Sequence, residues 1–272
     1  MQGRTYTLVL GIAHALSAHT WVRAVREVGA QEFAYAPGTA TYRMVVKSAG
    51  TSDAQGTKHD IGLDAEQRLT LTIAARTRDT LALAIVLDSA TIKTVALGTL
   101  DARPALGLRV TAMLTPQGKV YSRQLPDMKG REAFTAVAEE MARFLPALPA
   151  TLSVGATWRD TTREPVEQMG IPITRTRITD YRVAADTILD GERTWRIART
   201  AHTLMQGSGT TMGAPVVFES NSIGTGAYYL SRSGRYLGAE LKEEVKSKVT
   251  LTALNQDVLG TQTQTAVITL VR

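Results

Sequence analysis

The chain contains no cysteine. Disulfides, thiolate metal sites and cysteine nucleophiles are therefore excluded. That absence does not fix a compartment, because a domain of this size can bury enough core to do without disulfides. Histidine is scarce: the 272 residues hold His14, His19, His59 and His202. His14 and His19 are a poor helical match, and no HExxH or two-histidine, one-carboxylate spacing occurs. No metal and no other cofactor is expected. Aromatic residues make up only 6%. No stretch approaches the roughly 18 apolar residues of a membrane-spanning helix.

Catalytic motifs are missing as well. "TPQGKVYS" (115–122) has a Gly–Lys pair, but it lacks GxxxxGK[ST] and runs into strand-like residues, so it reads as a turn. No GxGxxG opens a helix. Ser208 in "MQGSGTTMG" is not in a GxSxG elbow, and Gly207, Gly209 and Gly213 read as a flexible connection. The pairs Asp186/Asp190 and Glu139/Glu140 have no reason to be buried, which acid–base work needs. The sequence predicts a protein that is not an enzyme.

What is present is apolar and strand-like. Apolar residues make up 44%, enough for a core. The net charge is +6, from 31 Lys and Arg against 25 Asp and Glu, with no concentrated source. Nucleic acid is not an expected partner. Near the start, Arg4 precedes an apolar, small-residue run over Leu8–Ala18. This has the outline of an export signal; a first helix with Leu16, Trp21, Val22, Val25 and Val28 near one stripe fits the same residues.

Period-two alternation dominates the rest. Tyr42, Met44 and Val46 share a face, as do Leu69, Leu71 and Ile73, and Leu81, Leu83, Ile85 and Leu87. Asp190–Gly191 predicts a tight hairpin between strands holding Tyr181, Val183 and Trp195, Ile197. "SIGTGAYY" (222–229) reads as the start of a strand, and the last residues, through Val271, as a strand within a sheet. "ELKEEVKSKV" reads as a solvated face. One segment departs: Phe134, Val137, Ala138, Met141, Phe144 and Leu145 make a single helical stripe, with Glu132, Glu139, Glu140 and Arg143 elsewhere and Pro146 as the stop.

A shift of 116 residues sets "ATYR" (40–43) on "ATWR" (156–159) and "LTPQGKVYS" on "LSRSGRYLG" (230–238), with Gly118 on Gly234 and Lys119 on Arg235. This predicts a duplication. The expected fold is mainly β: antiparallel curved sheets or a partly open barrel from two similar β-meander halves, with one amphipathic helix at about 130–145. The segments are 1–32 (signal-like or helical), 33–128 (first half), 129–149 (linking helix) and 150–272 (second half).

The motifs "APGTATYRM" (36–44), "LPALPATLSVGATW" (145–158) and "SRSGRYLG" carry a resemblance to a group of bacterial exported, mostly β proteins of lipoprotein or periplasmic type. It covers roughly residues 33–272. The group's lipobox cysteine is absent, so lipid anchoring by that route is out. The general shape is similar to outer-membrane lipoprotein carriers. The resemblance implies a cell-envelope or periplasmic protein.

The resulting expectation is a non-catalytic envelope protein that binds or stabilises a membrane-associated assembly, with another envelope protein as partner. The alternatives are a carrier or sensor of a lipid or hydrophobic molecule, and an unusual hydrolase. A groove between helix and sheet is expected at Met141, Phe144 and Leu145, where a packed interior would count against the carrier. Anion or partner contacts are expected at Lys119, Tyr121, Arg175, Arg177, Arg235 and Tyr236, with the two turn cations on matching exposed tips.

Overall fold

The computed structural model describes residues 29–131, 134–142, 144–168, 171–211 and 214–271. The export-like start, His14, His19, Glu132, Arg143 and Gly213 lie outside them.

In chain order the strands are β1 (Gln31–Glu32), β2 (Gly38–Ala54), β3 (Thr57–Thr77), β4 (Thr80–Thr94), β5 (Gly98–Leu100), β6 (Arg109–Leu114), β7 (Val120–Gln124), β8 (Thr151–Leu152), β9 (Thr157–Gln168), β10 (Ile171–Leu189), β11 (Glu192–Thr211), β12 (Ala214–Ser231), β13 (Tyr236–Leu251) and β14 (Gln256–Val271). All but β1 and β8 belong to one antiparallel sheet. Its order is β7-β6-β4-β3-β2-β14-β13-β12-β11-β10-β9, with β5 beside β4. Two meanders thus meet where β14 pairs β2, and the C-terminal strand is the joint of a continuous sheet. The sheet curls so far that its edges face each other. Arg123 of β7 reaches Glu164 of β9 at 3.3 Å, yet no strand pairing joins the two edges among the described residues. The barrel is therefore open along one seam.

Alternation sorts the two faces as read from the sequence. Tyr42, Met44, Val46, Leu69, Leu71, Ile73, Leu81, Leu83, Ile85 and Leu87 are buried on the concave side. The convex side is wet: one row of paired residues runs Asp64, Lys47, Thr265, Lys242, Thr225, Thr200, Asp180, Arg159 across eight strands. Asp190 (φ 51°) and Gly191 (φ 82°) both take the left-handed conformation that the expected hairpin requires. Two expectations fail here. Gly207 and Gly209 do not form a loose connection but lie inside β11; a Cβ on Gly207 would stand 2.3 Å from the Pro172 carbonyl oxygen, so glycine permits close backbone approach. "SIGTGAYY" is the middle of β12, not its start.

One end of the concave face is filled by residues 31–36, 128–131, 134–142 and 144–153. β1 pairs β8, the Phe33 N–H donates to the Ala150 carbonyl, and the Tyr35 hydroxyl donates to the Pro146 carbonyl at 2.8 Å. The helix of this plug, α1, spans only Thr135–Met141. It ends four residues before Leu145, the last member of its apolar stripe. Phe144 then leaves the helical path to join Tyr42 and Tyr236, with ring centroids 5.2–5.4 Å apart. Met141 and Phe144 are buried core. The groove expected there is corrected to a packed interior, since these side chains fill the space themselves.

The two hairpin tips, 116 residues apart, have the same turn. Gly118 (φ 87°) donates to Thr115 and Gly234 (φ 90°) to Ser231; Thr115 and Ser231 receive Lys119 and Arg235 backbone N–H groups on their side-chain oxygens. Both tips press on one segment: the Tyr35 N–H donates to the Pro116 carbonyl and the Ala36 N–H to the Gly234 carbonyl. The turn glycines are packed against this segment, while the two turn cations, Lys119 and Arg235, are exposed.

Candidate functional site: a basic pocket in the seam

The long strands β10 to β13 pass beyond the plug, and their concave residues turn from apolar to polar there. Along β10 the inward positions run Val183, Tyr181, Thr179, Arg177, Arg175, Ile173 and Ile171; along β11 they run Trp195, Ile197, Arg199, Ala201 and Thr203. Ile171, Ile173, Val216 and Phe218 form a second, smaller apolar cluster. The polar belt lies between the two cores.

Where this belt meets the seam there is a pocket of about 250 Å³. Its walls come from the 118–123 hairpin, the plug residues Ala142 and Leu145–Ala147, and the strands β9 to β12. Four cations line it, Lys119, Arg123, Arg177 and Arg199, against the single carboxylate Asp160. Arg123 is paired with Glu164. Arg177 reaches Glu243 at 3.3 Å and Thr203 at 3.2 Å. Glu243 also accepts from the Ser222 hydroxyl.

Arg199 is different. It is 7% exposed, and among the described residues no carboxylate stands within ion-pair distance. Its Nη1 donates to the Tyr228 hydroxyl at 3.1 Å, while its Nε has no partner. Burial pulls its pKa down, and Tyr228 and the field of Glu243 more than restore it, so the group stays charged. Room for it comes from glycine: a Cβ on Gly224 would stand 2.9 Å from its Nη2. Tyr181, paired beside Arg199, stacks on Trp158 at 5.1 Å and 11°, and burial raises its hydroxyl pKa. The Trp158 indole donates to the Ala147 carbonyl at 3.1 Å, fixing the aromatic wall to the plug.

Of the residues expected from sequence, Lys119, Arg177 and Leu145 come together in this pocket. Arg175 lies just below, buried between Glu139 (3.0 Å) and Glu164 (2.8 Å), so its charge is spent inside the protein. Tyr121 is exposed on edge strand β7 and does not line the pocket. Arg235 is at the other hairpin, paired with Glu192. Tyr236 is corrected from a contact residue to core: it is 2% exposed and its carbonyl accepts from the Tyr42 hydroxyl at 2.7 Å. Sequence reasoning missed Arg199, Arg123, Tyr228 and Glu243. The clue to Arg199 is a charge at an inward position, following Trp195 and Ile197 in strict alternation.

A larger hollow of about 440 Å³ lies across β2, β14, β13 and β12, but its side chains Glu244, Lys246, Thr261 and Thr263 are solvated and hold no buried unpaired group. No group of three or more His, Asp or Glu residues is placed to hold a metal among the described residues.

No protein-family model matches the chain. No curated protein matches it either. Solved structures similar to it include OmpF of Salmonella typhi in complex with daunomycin, at 8% identity and a TM-score of 0.28, covering 86% of this chain and 98% of that one. An outer membrane channel from Pseudomonas putida F1 is similar at 10% identity and a TM-score of 0.23, covering 88% and 98%. Scores this low do not make a shared fold.

Proposed function

We propose that the protein is a non-catalytic binding protein of the cell envelope whose ligand site is the seam pocket. The observation that carries this is the pocket itself: an opening between β7 and β9 lined by guanidinium and ammonium donors, threonine hydroxyls and tyrosine rings. These groups recognise; the lining presents them without a paired nucleophile and base. The envelope assignment rests on the export-like outline of residues 4–18. The charged convex row supports a sheet that works in water at that location, since charges on a lipid-facing strand surface cost several kcal/mol, about 2–4 for Arg or Lys at mid-bilayer. The partner is a ligand-bearing molecule of the envelope, and the packed helix–sheet interface moves the carrier reading from the helix to the seam.

The test is to express the full chain in a Gram-negative host, separate periplasm from cytoplasm, and identify co-purifying molecules by denaturing and native mass spectrometry. The expected result is periplasmic protein carrying a bound molecule that is depleted in Thr162→Trp, which fills the pocket mouth. Cytoplasmic retention, or wild-type protein that carries neither a molecule nor a partner, overturns the reading.

A further inference from the structure

We infer that the deep end of the seam pocket is an oxyanion site centred on Arg199, and that its ligand is a small amphiphile carrying one carboxylate or phosphate group on a short apolar stem. This rests on the binding reading above and adds the chemistry of the ligand.

The argument begins with a charge in the wrong surroundings. A guanidinium removed from water is stable when a carboxylate or several acceptors replace its hydration. Arg175, two positions from Arg177 on the same face, has that: two carboxylates hold it. Arg177 has Glu243 and Thr203. Arg199 has only the neutral Tyr228, whose hydroxyl accepts from Nη1 and whose ring centroid lies 6.0 Å from its Cζ, and an Nε–H that donates to nothing. Yet the surrounding residues make space for it rather than a partner: Ala201 and Gly224 are its small neighbours, and a Cβ on Gly224 would stand 2.9 Å from its Nη2. The missing acceptor is the ligand's anion.

Three further features fit the same ligand. Lys119 stands exposed at the mouth with no carboxylate in reach among the described residues, so it attracts an anion without having to release a partner. Leu145, Pro146 and the ring of Tyr181 give the path from mouth to Arg199 an apolar wall. The volume of about 250 Å³ lies below the range of roughly 300–1,000 Å³ that holds drug-sized ligands, which limits the stem to a few carbons. Asp160 on the β9 side repels a second anionic group and so favours a single charged head.

The experiment measures thermal shift and calorimetric affinity of the purified full chain with four probes: hexyl phosphate, hexanoate, hexan-1-ol and inorganic phosphate. The expected order puts hexyl phosphate or hexanoate at least about tenfold tighter than hexan-1-ol, with inorganic phosphate weaker than either amphiphile; which head wins separates a phosphate ligand from a carboxylate one. Arg199→Met is expected to fold with an unliganded melting temperature at or above wild type, because it removes an unpaired buried charge, and to lose binding by at least about thirtyfold. Should that variant not fold, Lys119→Glu, on the surface, is expected to weaken the anions about tenfold and leave hexan-1-ol unchanged. Lys47→Gln, which removes one positive charge on the convex side, is expected to change affinity less than about twofold. If hexan-1-ol binds as well as the anions, the oxyanion inference fails while the binding reading stands. If no probe binds and no molecule co-purifies, both fail.

Discussion

Arg123 and Glu164 meet at 3.3 Å across the only line where the edges of the main sheet face each other without backbone pairing among the described residues. Both side chains are about a quarter exposed. An ion pair so placed adds little stability, about 0–1 kcal/mol, but it is a direct side-chain link across the seam. Arg123→Ala is expected to leave the melting temperature nearly unchanged and to speed amide exchange in β7, read by hydrogen–deuterium exchange. Unchanged β7 protection would show that the bridge does not hold the seam.

The trio of Tyr42, Phe144 and Tyr236 predicts a large cost for truncation. Phe144→Ala is expected to lower stability by about 3–5 kcal/mol in chemical denaturation, the range for a buried phenyl ring. A residue lining an open groove would cost far less, so a change under about 1 kcal/mol would restore the groove.

Asp186 gives a pH prediction. It accepts from Arg232 at 2.6 Å, and Arg232 also lies 3.9 Å over the Trp195 ring and donates to Gln31. Burial works to raise the Asp186 pKa, but the hydrogen bonds from Arg232 and Arg193 outweigh it, and the net shift is downward. A carboxyl with a depressed folded-state pKa contributes stability above its unfolded value of about 3.9 and loses it as pH falls through the folded one. Asp186→Asn is therefore expected to cost roughly 2 kcal/mol at pH 7 and much less near pH 2. An equal cost at both pH values would mean that the charge is irrelevant.

The turn glycines differ in what surrounds them. Gly191 faces open space, so Gly191→Ala carries only the left-handed backbone penalty of about 1 kcal/mol. A Cβ on Gly234 would stand 2.1 Å from the Ala34 carbonyl oxygen, and one on Gly118 would stand 2.6 Å from the Tyr35 ring. Both alanine variants are expected to cost more than Gly191→Ala, and Gly234→Ala the most, because its Cβ would meet backbone at 2.1 Å whereas that of Gly118 meets backbone, the Pro146 carbonyl oxygen, at 2.8 Å. Equal melting temperatures for the three would count against the clasp on residues 34–36.

Much of the fold could be read from period-two alternation. Leu69, Leu71, Ile73, Leu81, Leu83, Ile85 and Leu87 face inward because a strand with one wet side needs that order, and Asp190–Gly191 could only be a hairpin turn of this kind. The helix could be placed but not bounded: Phe144 fits its stripe, yet the aromatic partners that draw it away, Tyr42 and Tyr236, are distant in sequence. Arg177 and Lys119 could be listed among the cations without any indication that they share a pocket with Leu145.

By itself, then, the sequence determined which residues alternate, that Asp190–Gly191 is a hairpin turn, and that cysteine chemistry is out of reach. These follow from local sterics and from the apolar pattern, which act within a few residues. Tertiary structure alone decided that β14 joins the two meanders, that the edges stop short of closure, and that Arg199 meets Tyr228 in the belt between two cores. Those outcomes depend on sheet curl and on side chains brought together from strands far apart in the chain, and the same curl that buries Arg175 with two carboxylates leaves Arg199 with an unpaired Nε at the seam.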